Sequence, residues 1–190
     1  TLMLIDGIRL NNSAFREGPN QYWGTVDGHI VDTLELVRGP SSVLYGSDAL
    51  GGTVLASTAD ITPGFRSLSA FRWASAEDSH VAREEISWGS AGGAGGRIGF
   101  TYKDFHDLSG GRDQGTFQNT GYDEYDADLK VALPFGGGWR LTGMYQRHRI
   151  DEAPRTHSTV YASQWHGTAP GTDQRRDFDQ RRDLYYLQAT

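Results

Sequence analysis

The chain has 190 residues, with 18 basic and 24 acidic side chains and a formal net charge of −6. This balance argues against nucleic acid as a partner, and the lack of cysteine excludes disulfide bonds and thiolate metal sites. No stretch approaches the roughly 18 consecutive apolar residues of a membrane-spanning helix, whereas a membrane-spanning strand needs only about 9–11 residues, alternately polar. The composition therefore suits a soluble protein and a membrane β-barrel equally well.

The first 62 residues mix short strands with turns, which is typical of a small α+β domain. Leu2–Ile5 is an apolar strand that ends at the turn pair Asp6-Gly7. Residues 8–10 are then predicted to form the returning arm of a hairpin. A polar loop with an aromatic centre follows over residues 11–24.

A glycine-rich stretch, residues 38–52, dominates the rest of this region. Its glycines and its proline predict tight turns. Its apolar side chains are too many for a flexible linker, so we expect a compact module packed against something large. Before it, the mixed apolar and acidic residues 31–36 predict a short helix that runs into a strand at residues 34–37. Another strand is predicted at residues 53–56.

From residue 63 onward the sequence alternates between apolar and polar side chains, the pattern of half-buried strands. Between residues 97 and 105, Ile98, Phe100 and Tyr102 share one face. The alternation recurs more weakly at residues 81–89, where Glu84 shares a face with Ile86 and Trp88. In all, about six strands are predicted, over residues 65–75, 81–89, 97–105, 125–133, 139–147 and 184–189, and the faces of the first and last are unassigned.

The connections between these strands differ in length. Residues 90–96 and 134–138 are short and rich in glycine, whereas residues 107–122 and 150–182 are long and polar. In an antiparallel sheet, alternate connections lie at the same end of the strands. One end is therefore predicted to carry short turns and the other end long loops. Together with Trp88, Phe135 and Trp139 beside the short turns, this favours a membrane barrel with an aromatic girdle. The alternative is a soluble β-sandwich.

Three ordered motifs carry a family resemblance: LIDGIRL at residues 4–10, VDTLELVRGP at residues 31–40 and YGSDALGG at residues 45–52. Together they resemble the plug-domain signature of TonB-dependent outer-membrane receptors, over about residues 2–58. The resemblance implies that residues 1–62 are the C-terminal part of a plug domain. Residues 63–190 would then be about six N-terminal strands of a transmembrane β-barrel of about 22 strands.

The resemblance also implies a function. Such receptors lie in the bacterial cell outer membrane, in contact with its lipid, and import scarce, bulky nutrients such as a ferric siderophore or other iron complex, haem or cobalamin. TonB supplies the energy through a segment outside this sequence, and we expect the chain to be an internal piece of a longer protein. No enzyme activity, cofactor or nucleic-acid partner is expected. The alternative is a secreted or surface β-sandwich that acts as a binding or adhesion module.

Ligand contacts are predicted in two places. By resemblance, the loop at residues 11–24 points toward the extracellular vestibule, where amide, guanidinium and aromatic groups suit a large polar ligand. The long loops could supply further contacts or axial ligands to haem iron. The candidates are Asn11, Asn12, Arg16, Asn20, Gln21, Tyr22 and Trp23 in the plug loop, and His157, Tyr161, Trp165 and His166 in the extracellular loops.

Two groups of charged residues invite a structural interpretation. Asp123, Glu124, Asp126 and Asp128 could bind Ca²⁺ at the base of a loop, but we expect them to be solvated acids that face the lumen, and no metal site is predicted. The resemblance implies that Arg38 helps to lock the plug to the barrel. An arginine inside a lumen needs a carboxylate partner, and Glu85 on a lumen face is one candidate.

We expect Arg38→Ala to increase the leakage of large solutes through the ligand-free receptor, because the link from plug to barrel is lost. Permeability of the full-length receptor in liposomes measures this, with Arg38→Lys as the control that keeps the charge. Unchanged permeability of the alanine variant would contradict the lock.

Overall fold

The structure, a computed structural model, describes residues 1–11, 22–110, 115–154 and 177–190. The chain divides into two compact units, Thr1–Asp60 and Ile61–Thr190. Their boundary lies within two residues of the one expected from the sequence, and the assignment of the units to plug and barrel stays a prediction. Among the described residues, no helix is long and apolar enough to cross a membrane.

The first unit contains a mixed four-stranded sheet in the order β2-β1-β4-β3. Its strands are β1 (Leu2–Ile5), β2 (Ile8–Arg9), β3 (Val31–Arg38) and β4 (Gly52–Thr58). β1 pairs with β4 in parallel, and the other pairs are antiparallel. Leu2, Ile5 and Ala56 are buried between the strands and the connecting segments. The predicted strands at residues 2–5 and 53–56 and the predicted hairpin are confirmed.

The hairpin turn between β1 and β2 is fixed by its two central residues. Asp6 and Gly7 both have positive φ, 47° and 80°, as a two-residue turn of the primed type requires. The Asp6 carboxylate accepts hydrogen bonds from the backbone N–H and the hydroxyl of Thr58, at 2.8 and 2.6 Å. The turn is thereby tied to the end of β4.

The predicted helix at residues 31–36 is wrong. A 3₁₀ turn, Gly28–Ile30, ends just before that stretch, and its N-cap Asp27 accepts a hydrogen bond from the His29 N–H. Val31, Thr33 and Val37 are β-branched and favour extended backbone. Pairing with β4 along the strand adds a ladder of hydrogen bonds that a short helix would forgo, so the segment is β3.

The glycine-rich stretch forms a compact turn around one short helix, α1 (Ser42–Tyr45). At Gly52, φ is 142° and a Cβ would lie 2.8 Å from the carbonyl oxygen of Val37, so only glycine fits where β4 starts beside β3. Val43 is fully exposed and Leu44 is 79 % exposed. The expected packing of these side chains against something large stays a prediction.

The second unit is an antiparallel sheet in the order β12-β11-β10-β7-β6-β5. A two-stranded hairpin, β8 (Leu108–Ser109) with β9 (Thr116–Phe117), lies within the connection after β7. The six predicted strands are therefore confirmed, although several are longer than predicted. Their bounds are β5 (Gly64–Ala74), β6 (Ser79–Gly89), β7 (Gly95–Phe105), β10 (Tyr122–Phe135), β11 (Trp139–Pro154) and β12 (Asp177–Ala189).

The connections at the two ends of the strands differ in length less than predicted. The short connections at residues 90–94 and 136–138 lie at one end of the strands, called the turn edge, as expected. At the other, called the loop edge, residues 75–78 form a turn of only four residues. The last long connection is also shorter than predicted, because β11 and β12 stay paired beyond a bulge to Pro154 and Asp177.

We expect Asp6→Ala to increase amide hydrogen exchange at Thr58 by about 10- to 100-fold in the full-length protein, because two hydrogen bonds to a charged acceptor are lost. Exchange of peptides that cover β4, followed by mass spectrometry, measures this. Asp6→Asn keeps an acceptor and should stay close to wild type, as should Asp60→Ala, which removes an exposed carboxylate nearby. Exchange at Thr58 that stays at the wild-type level in Asp6→Ala would refute the role of the Asp6 carboxylate.

Candidate functional site

The two faces of the six-stranded sheet have inverted polarity. The register places apolar side chains together on one face and charged side chains on the other, yet the charged side chains are buried and the apolar ones exposed. We call the first set the charged face: Arg83, Arg97, Thr101, Lys103, Glu124, Asp126, Asp128, Lys130, Gln146 and His148. The second set is the apolar face: Phe65, Phe71, Trp73, Ile86, Trp88, Ile98, Phe100, Tyr125, Leu129, Leu133, Phe135, Trp139, Tyr185 and Leu187.

The first cluster on the charged face is organised by Arg83, which is 1 % exposed. Its guanidinium contacts Glu85 at 2.5 Å, the Thr101 hydroxyl at 3.0 Å and Asp128 at 2.9 Å. Asp128 lies on β10, two strands away, and β7 runs between them. Gly99 is the β7 residue opposite Asp128, and a Cβ there would lie 2.3 Å from the Arg83 guanidinium. The missing side chain leaves the space through which this pair forms.

The second cluster joins β7, β10 and β11. Lys103 Nζ lies 2.5 Å from Glu124 and 3.1 Å from Asp126, and His148 Nδ1 lies 2.9 Å from Asp126. Glu124, Asp126 and His148 have the residue types of a metal site and converge. The Lys103 ammonium already lies against both carboxylates, so the cluster is better described as a buried ion-pair network than as a metal centre.

The four acidic residues of β10 do not form one group. Asp123 lies on the opposite face from Glu124, Asp126 and Asp128, because neighbouring residues of a strand alternate. Its carboxylate accepts a hydrogen bond from the Tyr102 hydroxyl at 2.9 Å. The expectation that all four are solvated is wrong, because the other three are buried and paired with basic groups across the strands. They therefore cannot converge on one calcium ion.

The apolar face needs apolar surroundings. Its fourteen large side chains are between 39 and 78 % exposed. Leaving them half-exposed to water would cost roughly 15 kcal/mol or more, at about 2 kcal/mol for a fully exposed side chain. That is as large as the stability of a whole domain. Glu84 also lies on this face, and its carboxylate accepts a hydrogen bond from the Ser69 hydroxyl at 2.6 Å.

Aromatic side chains border the apolar face at both edges of the sheet. At the turn edge, Phe65 lies opposite Trp88, and the rings of Phe135 and Trp139 stack with centroids 6.4 Å apart. The sequence analysis missed a second row near the loop edge. It consists of Trp73, Tyr102 and Tyr125, and two of them donate to a carboxylate: Trp73 to Asp78 and Tyr102 to Asp123. The continued period of two could have revealed it.

Only part of the predicted plug loop lies within the described residues. The Asn11 side chain accepts from the Met3 N–H at 2.7 Å and donates to the Thr1 carbonyl at 3.0 Å, so it holds the start of β1. Tyr22 is buried and Trp23 is half-buried. Ligand contact by these residues stays a prediction. The other candidates lie outside the described residues: Asn12, Arg16, Asn20 and Gln21 in the plug loop, and His157, Tyr161, Trp165 and His166 in the extracellular loops.

The two residues of the predicted lock belong to different units. Arg38 is exposed at the end of β3, and Glu85 contacts Arg83 within the second sheet. The lock stays a prediction.

A strongly acidic groove lies at the loop edge of the second unit. It has a volume of about 670 Å³. Six carboxylates and one histidine contribute to its wall. They come from the turn at residues 75–78, from the ends of β7, β10 and β11, and from the connection after β7. These residues are Asp78, Asp104, His106, Asp107, Asp123, Asp151 and Glu152. This groove is a site of high negative charge density.

The plug motifs are matched by known proteins. Residues 1–53 match the family model described as TonB-dependent Receptor Plug Domain. Residues 1–53 are thereby identified as a plug domain of TonB-dependent receptors. A relative, "Vitamin B12 transporter BtuB" of Vibrio vulnificus (strain YJ016), is 41 % identical over 54 residues. This stretch is 28 % of the chain and only 8 % of the relative's own length. The family is one of receptors and transporters, and the resemblance expected from the three motifs is confirmed.

We expect Gly99→Ala to lower the free energy of unfolding by about 3 kcal/mol or more, because an added methyl group would break the buried pair between Arg83 and Asp128. Gly143→Ala is the matched control: it lies on the opposite face, and its Cβ would meet only a Leu187 methyl group at 3.6 Å, an ordinary contact. Denaturant unfolding of the full-length protein, followed by circular dichroism, measures both. Equal effects of the two substitutions would refute the role of the gap at Gly99.

Proposed function

We propose that this chain is part of a TonB-dependent transporter of the bacterial outer membrane, with the plug followed by about six strands of a β-barrel of about 22. The observation that carries the proposal is the six-stranded sheet of inverted polarity, which follows a plug domain directly in the chain. In a membrane barrel, the apolar face contacts lipid and the charged face lines the lumen.

The spacing of the two aromatic rows supports this proposal. Phe135 and Tyr125 stand ten residues apart on β10, which is about 33 Å along a strand. At a strand tilt of about 40°, this distance projects to about 25 Å along the membrane normal, the height of the apolar band of such barrels. Level with the loop-edge row, where Arg149 lies opposite Tyr125, Arg149 and Arg181 pair with Asp151 at 2.5 and 3.3 Å, as suits a polar boundary.

The β-sandwich alternative receives less support. A sandwich buries an apolar face against a second sheet and leaves the other face of each sheet to water. Here the face that would have to be in water carries Arg83, Lys103 and Asp128, and these side chains are buried.

The transported ligand belongs to the class of bulky, scarce nutrients: cobalamin, a ferric siderophore or other iron complex, or haem. Cobalamin is the first to test, because the plug stretch resembles that of a vitamin B12 transporter. The plug loop and the long connections would contact the ligand, and TonB would drive release through a segment outside this sequence. The charged face would give the lumen wall rigid, hydrogen-bonded surroundings for the plug.

The experiment is uptake of labelled cobalamin, ferric siderophore and haem by cells that lack the gene and by cells that express the full-length receptor. Uptake of one ligand should require both the gene and TonB. Combined Arg16→Ala and Gln21→Ala substitutions in the plug loop should lower this uptake by about 10-fold, about 0.7 kcal/mol for each lost contact.

Asp32→Ala, an exposed position on β3, is the control that should leave uptake unchanged. Surface amounts of all variants are compared first, so that loss of folding is distinguished from loss of binding. If none of the three ligand classes enters in a manner that depends on the gene and on TonB, the proposed function is wrong.

A further inference from the structure

Three side chains with metal-ligating atoms converge at the loop edge of the second unit, on the same face as the loop-edge aromatic row. They are His80 on β6, Asp104 on β7 and His106 just after β7. Each offers one ligand atom, and these atoms lie within 4.8 Å of one another. We propose that these residues bind a first-row transition-metal dication of the zinc class.

The backbone explains why the three side chains meet. His80 is paired directly with Asp104 across the strands, which places their Cβ atoms about 5 Å apart on one face. His106 follows Asp104 by two residues, so it returns to that face. The His80 and His106 rings meet edge to face with centroids 6.1 Å apart. The three side chains therefore lie close together on one face of the sheet.

A second observation fixes which atom of His106 is the ligand. Its Nδ1 lies 2.8 Å from the backbone carbonyl oxygen of Asp78. A carbonyl oxygen only accepts, so Nδ1 must donate, and the neutral ring then carries its lone pair on Nε2. That atom faces Asp104, at 3.9 Å from Oδ2. A histidine that donates its other N–H to a backbone carbonyl is the arrangement in which metal-bound imidazoles are held.

The carbonyl is itself held in place by the short turn at residues 75–78. Asp78 has a φ of 47°, and its carboxylate accepts a hydrogen bond from the Trp73 indole at 2.8 Å. The outer partner of His106 is therefore positioned by a constrained turn. This support does not depend on the metal ion.

The distances allow closure around a small ion. Bonds of about 2.0–2.1 Å at tetrahedral angles place ligand atoms about 3.3 Å apart. The three atoms would need to approach by at most about 1.5 Å from their present spacing. The His106 side chain is 54 % exposed and that of Asp104 is 32 % exposed, so both can rotate. The remaining position is open to water, as in three-ligand zinc sites.

The ligand types select the class of ion. Two imidazole nitrogens and one carboxylate suit zinc, nickel and copper, whereas calcium and magnesium prefer oxygen ligands alone. The other carboxylates of the acidic groove, including Asp107 and Asp123, raise the local concentration of any cation. The cluster of Glu124, Asp126 and His148 differs, because the Lys103 ammonium already lies against both of its carboxylates.

A bound ion would clip together three segments of the loop edge. Asp78 and His80 flank the start of β6, and His106 begins the connection that contains β8 and β9. That connection already contacts the short turn through the Ser109 N–H, which donates to the Ala76 carbonyl at 2.8 Å. The ion would therefore fix the described parts of this connection, residues 107–110 and 115–121, relative to the sheet.

The test is zinc binding by the full-length receptor in detergent after chelation, measured by calorimetry and by metal content. The Asp78 carbonyl and the Asp104 carboxylate raise the pKa of His106, so the titration is done at about pH 8, above the ordinary imidazole range. The wild type should bind about one zinc ion that survives excess magnesium. His80→Ala and His106→Ala should each weaken this binding by more than about 100-fold, since loss of an outer partner alone costs 10- to 100-fold.

Two controls make the result specific. His106→Cys supplies a thiolate in a chain without other cysteines and should restore binding. The double variant His157→Ala and His166→Ala removes two other histidines and should bind zinc normally. Exchange of the amides in residues 107–121 should slow when zinc is added to the wild type and not to His106→Ala. Binding that persists in His80→Ala and His106→Ala, is displaced by magnesium, or disappears only in the control double variant would overturn the proposal.

Discussion

Gly99 has no side chain, and the charged face depends on the space that this leaves on β7. This space lets the Arg83 guanidinium cross β7 and reach Asp128, so that β6, β7 and β10 share one ion-pair cluster rather than separate neighbouring pairs. Buried charges are costly unless they are paired and hydrogen-bonded. The rest of the face follows the same logic, because Lys103 and His148 satisfy the carboxylates of β10 from either side.

This arrangement reverses the usual division between core and surface. The buried charged side chains are satisfied by pairing with one another across the strands, whereas the apolar side chains contribute stability only in surroundings that are themselves apolar. The first unit shows a conventional core of Leu2, Ile5 and Ala56. The first unit therefore buries its apolar side chains and the second exposes them, and the composition of the chain averages over both. That average explains why length and hydropathy alone did not distinguish a soluble protein from a membrane protein.

Strand positions were predictable because alternation is local. The faces of residues 97–105 and 125–133 followed from the sequence, and the structure confirms them. The partners of each charged residue were not predictable, since they depend on register and on the absence of a side chain at Gly99. The helix expected at residues 31–36 failed because pairing with β4 decides that segment. The cluster of His80, Asp104 and His106 was also missed, because its residues meet only across strands.

The order of the six-stranded sheet has a consequence for how it forms. Each strand pairs with the strand that precedes or follows it, apart from the small β8–β9 hairpin, so the sheet is a simple meander. Contacts between neighbouring segments carry a small entropy of loop closure, and such topologies fold faster than those with distant pairings. Each hairpin can therefore add to the edge strand of a neighbouring hairpin, without long excursions of the chain.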